Sequence, residues 1–375
     1  MPVIAVNLTA GVFEKIRGYV DRAMYASVEQ FVEIAACNQL ALEDGITPQE
    51  LIENNHRAAP SPKRKGDSRQ GLEAASKQRK VEQSHQAESG DIRNFAERAS
   101  QVWAPFSIES IRAGQLKPLP TTVRGDSEHI WGQVNRLLPF KIACRWLATH
   151  ATANGDWPSL GTIGDQIADD AAAIGSALLE VDAHTRRVRD DQLATSLPKV
   201  GNIASKDRFL SHFVARTIRS GYVYPGAIIQ YALADLNESR IGLTSAGAEF
   251  AALPNPVLDG SPEHASSSLS PDEQAFLQNQ IIQYVPGEYR DCEIVISAIL
   301  DGHDTPTALG EAVFDSMPSE TSVAAKQTHL SGVIARLTEL AVVKRTWSGR
   351  RVTYEVKKLE GLPLFDHLAQ TAGRQ

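Results

Sequence analysis

From His56 to Gly90 the chain reads HRAAPSPKRKGDSRQGLEAASKQRKVEQSHQAESG, and only Leu72 and Val81 in that stretch are large and apolar. A segment of this composition cannot bury enough surface to offset the entropy lost on ordering it. One continuous core is therefore excluded for the 375-residue chain. The expectation is a short N-terminal domain over 1–45, a flexible basic linker over 46–90, and a longer C-terminal part.

The C-terminal part divides again. Four prolines and five serines crowd the eighteen residues of PNPVLDGSPEHASSSLSP, which marks a boundary near residues 260–270. A helical domain is expected over 91–260 and a further domain over 270–360. The three cysteines, Cys37, Cys144 and Cys292, form no C-x-x-C pair. A disulfide framework or zinc finger is not expected, and a reducing, cytoplasmic compartment is. The opening MPVIAVNLTAGVFEK has no basic leader followed by an apolar run, and no 18-residue apolar stretch occurs, so neither a signal peptide nor a membrane span is expected.

Residues 1–45 carry a compact pattern. Ile4, Val6 and Leu8 alternate with Ala5, Asn7 and Thr9, the period of a strand with one buried face. Val12, Phe13, Ile16, Tyr19, Val20 and Ala23 then recur at helical spacing. Ser27 and Gln30 have capping-box spacing before Val28, Phe31, Val32 and Ala35, and Gly45 suits a helix C-cap. The order is strand, helix, turn, helix.

The stretch IAVNLTAGVFEKIRGYVDRAMYASVEQFVEIA resembles the ribbon-helix-helix family, the MetJ/Arc class of DNA-binding dimers. The resemblance implies a homodimer formed through residues 3–9 and the first two helices, because one lone strand is not stable by itself. It implies that Ala5, Asn7 and Thr9 face bases and that Ser27, at a helix N-terminus, clasps a phosphate. The domain carries Lys15, Arg17 and Arg22 against six acids (Glu14, Asp21, Glu29, Glu33, Glu43 and Asp44), a net charge of −3. The linker supplies what this lacks. Eight basic residues between Arg57 and Lys80, Lys63, Arg64 and Lys65 among them, stand against Asp67 and Glu73, a net of +6. Such an arm can follow a polyanion.

Farther on, Thr305-Pro306 has the order of a cap followed by a first helical residue. Leu330, Val333, Ile334, Leu337 and Ala341 form a helical stripe, and AVVKRTWSGRRVTYEVKK reads as two strands turning at Ser348-Gly349. The phrase LSGVIARLTELAVVKRTWSGRRVTYEV resembles winged helix-turn-helix regulators of the MarR/ArsR type. Between Thr321 and Lys358 eight basic residues oppose Glu339 and Glu355, again +6. With Leu330 turned to the core, Thr328, His329, Gly332 and Arg336 are expected to face outward, with Lys326 at the margin. These residues, with Arg350 and Arg351 at the hairpin tip, are the expected DNA contacts, and Gly332 is expected to permit close backbone approach. The segment RIGLTSAGAEF suggests a second, weaker winged-helix pattern in the central region.

The expected fold class is mainly α with short β elements: a ribbon-helix-helix plus one or two winged-helix domains. The chain has no P-loop, dinucleotide, H-E-x-x-H or G-x-S-x-G motif. His303 in DGHDTP reads as part of a polar loop, Asp169-Asp170 and Asp190-Asp191 read as exposed acids although paired carboxylates can hold a metal, and His212 reads as a surface or satisfied histidine. The expectation is a non-enzymatic protein without cofactor, bound to double-stranded DNA in the nucleoid as a transcriptional regulator. Two alternatives stay open: a nucleoprotein assembly factor that bridges or coats DNA, and a protein–protein scaffold.

Overall fold

The structure, a computed structural model, describes Arg17, Phe106, Ile108, Ile111 and residues 116–122, 129–130, 132–217, 223–316, 323–348, 351–357 and 363–364. The chain divides into two compact units, 1–82 and 83–375. Of the first unit only Arg17 is described, exposed on a helix. The second is mainly helical, with short two-stranded sheets.

Its first half comprises α1 (Leu138–Asn154), α2 (Leu160–Thr185), α3 (Ile203–Phe213), β1 (Ala215–Thr217), β2 (Val223–Pro225), α4 (Ala227–Gln230), β3 (Ala234–Asn237), β4 (Arg240–Leu243) and α5 (Ser245–Ala252). Helix α1 is the centre. Pro139 opens it, and Gly155 closes it in the left-handed conformation at φ 73° with its N–H bonded to the Ala151 carbonyl. Phe140, Ile142, Cys144 and Leu147 are buried along it, and α5 and α2 pack on it. The β3–β4 hairpin pairs Asn237 with Arg240, and Glu238 takes φ 57° in its turn. Thr244 caps α5 by accepting the Gly247 N–H at 3.1 Å.

The second half comprises α6 (Pro271–Tyr284), α7 (Pro286–Leu300), α8 (Pro306–Val313), α9 (Val323–Glu339), β5 (Val343–Ser348) and β6 (Arg351–Val356). Two of these helix starts carry side-chain caps. Ser270 and Glu273 form a complete capping box on α6, and Thr305 accepts the Ala308 N–H where the Thr-Pro pair predicts a helix. Strands β5 and β6 pair in register from Val343↔Val356 to Ser348↔Arg351. Among the described residues, three α-helices and then a pair of antiparallel strands therefore run from 286 to 356.

The two halves share one hydrophobic core, extending from Phe106 and Ile130 through Leu138 and Phe250 to Leu277, Leu337 and Leu364. Buried polar contacts cross between them. Lys141 Nζ lies 2.8 Å from Glu273 Oε1, both side chains inaccessible. The Leu137 N–H donates to Glu339 Oε2 at 2.5 Å, and Gln280 Nε2 donates to the Tyr231 carbonyl at 3.0 Å. The sequence boundary near 260–270 is thus a loop over a continuous interior. Among the described residues no helix is long and apolar enough to cross a membrane.

Candidate functional site

Helix α9 carries most of the expected C-terminal contacts. Leu330, Val333, Ile334 and Leu337 are buried, as their spacing requires. Val323, Ala324, Gln327, Thr328 and Ser331 form its exposed face. Lys326 is half-buried and donates to the Phe314 carbonyl at 2.7 Å, and Thr328 Oγ1 donates to the Ala324 carbonyl at 2.9 Å.

Two of the expected outward residues point inward. Arg336 is fully buried; its Nε and Nη2 donate to Glu288 Oε1 and Oε2 at 2.6 and 2.8 Å, and Nη1 donates to the Val134 carbonyl at 2.5 Å. It cannot reach a DNA base without leaving Glu288 buried and uncompensated. Gly332 is buried against Gly132: a Cβ built on Gly332 would stand 2.5 Å from the Gly132 carbonyl oxygen. The close backbone approach expected at Gly332 occurs, but its partner is the chain itself. Both corrections have one cause. Helix α9 is covered on a second side, by the segment leading into α1, which a single-stripe reading does not include.

His329, also expected to face solvent, is drawn into a polar cluster. Its Nε2 lies 2.9 Å from Asp291 Oδ2, and His129 Nδ1 lies 2.9 Å from the same oxygen. The two imidazoles stand edge to face at 5.7 Å. Asp291 is buried in α7, while the His129 and His329 side chains keep 27% and 16% exposure, so the cluster opens to solvent on the imidazole side. Burial pushes the Asp291 carboxyl up, but the two imidazole hydrogen bonds outweigh it and hold the group at about 2. The hydrogen bond to Asp291 raises the His129 pKa above its usual value against the opposing effect of burial. Two nitrogens and a carboxylate oxygen within 4.8 Å of one another are a donor set suited to a transition-metal cation.

The β5–β6 hairpin provides a different surface. Lys344, Trp347 and Arg351 are exposed on it. Arg345 is turned back, with Nη1 2.6 Å from Asp190 Oδ2 and its guanidinium 5.9 Å from the centre of the Tyr354 ring. Val188 and Val200 in the central region and Trp347 on the hairpin are large apolar side chains open to solvent.

Of the two pairs of adjacent acids, Asp191 is exposed and the other three have local partners. Asp170 accepts from Trp146 Nε1 at 2.7 Å, Asp169 pairs with Lys206, and Asp190 holds Arg345. His303 is exposed, and burial lowers the pKa of half-buried His212. Ala5, Asn7, Thr9, Ser27, Lys63, Arg64, Lys65 and Arg350 lie outside the described residues. The sequence reading missed His129, Glu288 and Asp291. His129 and Asp291 are 162 positions apart, a spacing that matches no motif.

Comparison with known proteins adds no relative. No family model, curated protein or solved structure matches this chain.

Proposed function

We propose that the chain is a homodimeric DNA-binding protein acting as a transcriptional regulator. In this reading residues 1–45 form a ribbon-helix-helix that pairs two chains, the basic linker follows the phosphate backbone, and the second unit presents winged-helix modules. The observation that carries it is the pairing of the α9 face with the hairpin. Gln327, Thr328 and Ser331 offer uncharged hydrogen-bonding groups, and Lys344 and Arg351 stand exposed on the strands that follow. Uncharged polar side chains suit base edges, and free cations suit phosphates. Trp347, 58% exposed, stands on the opposite face of the same hairpin from these cations and adds a separate flat apolar surface there. Several modest contacts per chain, doubled in a dimer, bind together through effective concentration.

Duplex binding measured against salt tests this reading. Each phosphate contact contributes a slope near −0.9 on a log–log plot, so Lys344→Glu/Arg351→Glu, which removes four contacts from the dimer, is expected to weaken binding at least tenfold and flatten the slope by about 3.6. Unchanged binding in that variant, or no binding by the intact chain in low salt, removes the proposal. The scaffold alternative draws on Trp347 alone and predicts unchanged duplex affinity. A footprint that spreads cooperatively past one site would instead select the assembly factor.

A further inference from the structure

The geometry points to a divalent metal site of the zinc class formed by His129, Asp291 and His329. The three donors come from separate parts of the fold: the segment before α1, the middle of α7 and the first half of α9. They converge because Gly132 and Gly332, each three residues beyond a ligand histidine, pack backbone to backbone. With Zn–N and Zn–O bonds of about 2.0–2.2 Å, donors in a tetrahedral site stand roughly 3.3 Å apart. Both nitrogens lie 2.9 Å from Asp291 Oδ2 and all three donors lie within 4.8 Å of one another, so modest shifts of the two partly exposed imidazoles bring the set to that spacing.

The donor chemistry fits. Imidazole nitrogen with one carboxylate suits Zn²⁺ and its neighbours Co²⁺ and Ni²⁺ better than Ca²⁺ or Mg²⁺, which favour all-oxygen shells. Binding displaces the protons shared with Asp291: each imidazole carries its proton on the other ring nitrogen and turns a lone pair to the ion. The solvent-open side leaves the fourth position to water. The ion would clamp α9 to the segment before α1 and to α7. This inference is independent of the DNA-binding reading, because it concerns metal uptake alone.

The test uses the full-length chain, stripped with chelator, dialysed against Zn²⁺ and analysed for bound metal. The wild type is expected to retain one equivalent more than His329→Gln and Asp291→Asn, and its Tm to rise with Zn²⁺ while theirs does not. His129→Gln, at the most exposed ligand, is the fallback should Asp291→Asn fail to fold. Co²⁺ in place of Zn²⁺ is expected to give the intense visible absorption of a four-coordinate site, lost in His129→Gln. Wild-type protein that takes up no Zn²⁺, or His129→Gln and His329→Gln that match its uptake and Tm response, would overturn the site.

Discussion

Gly132 and Gly332 touch through their backbones: a methyl group on Gly332 would lie 2.6 Å from the Gly132 Cα, and one on Gly132 would lie 2.7 Å from the His329 Cα. This contact seats α9 against the segment that enters α1. Real Cβ atoms do not approach so closely, and the opposing atoms are backbone, so they cannot swing aside. Gly332→Ala is expected to destabilise the second unit by about 1–3 kcal/mol. Urea denaturation should show a lower midpoint at unchanged slope, and a midpoint equal to wild type would refute the packing.

The Arg336–Glu288 pair lies wholly in the interior. Removing one partner strands the other charge, so Arg336→Met and Glu288→Leu are each expected to cost about 3–5 kcal/mol. The double variant Arg336→Met/Glu288→Leu removes both charges and should recover much of that loss. Additive losses in the double-mutant cycle would count against a coupled pair.

Burial pushes Lys141 down to about 8, with Glu273 pulling the other way. Between that value and the ordinary 10.5 the unfolded chain holds a proton that the folded chain lacks. The contribution of this group to stability therefore rises as pH climbs through the window. Measured against Lys141→Met/Glu273→Gln, the wild type should gain stability between about pH 8 and 10.5. A flat or falling difference in denaturant melts would argue against a depressed Lys141.

Burial lifts the Cys144 thiol to about 12 and raises Cys292 as well. Neither should carry thiolate at neutral pH. Mass spectrometry after brief alkylation should find both unmodified in native protein and both labelled in denaturant. Rapid labelling of Cys144 in the native state would show that the α1 core is open.

Local chemistry was legible in the sequence where it acts over a few residues. Thr305-Pro306 specifies its own helix start, the residues of AVVKRTWSGRRVTYEVKK specify two strands that pair, and the stripe from Leu330 to Leu337 specifies one buried face of α9. The proline- and serine-rich stretch before α6 was legible as a loop, but its composition could not reveal the core continuing beneath it.

What the sequence by itself determined, among the described residues, is the start of α8, the apolar stripe of α9 and the two strands that follow it, because capping, turn chemistry and periodicity act within about a dozen residues. Only the tertiary structure decided that Arg336 and Gly332 face inward and that His129 meets Asp291 and His329. A second buried side of a helix is imposed by whatever packs there. For α9 that neighbour lies some two hundred residues away in the chain, as the 202 positions between Val134 and Arg336 record.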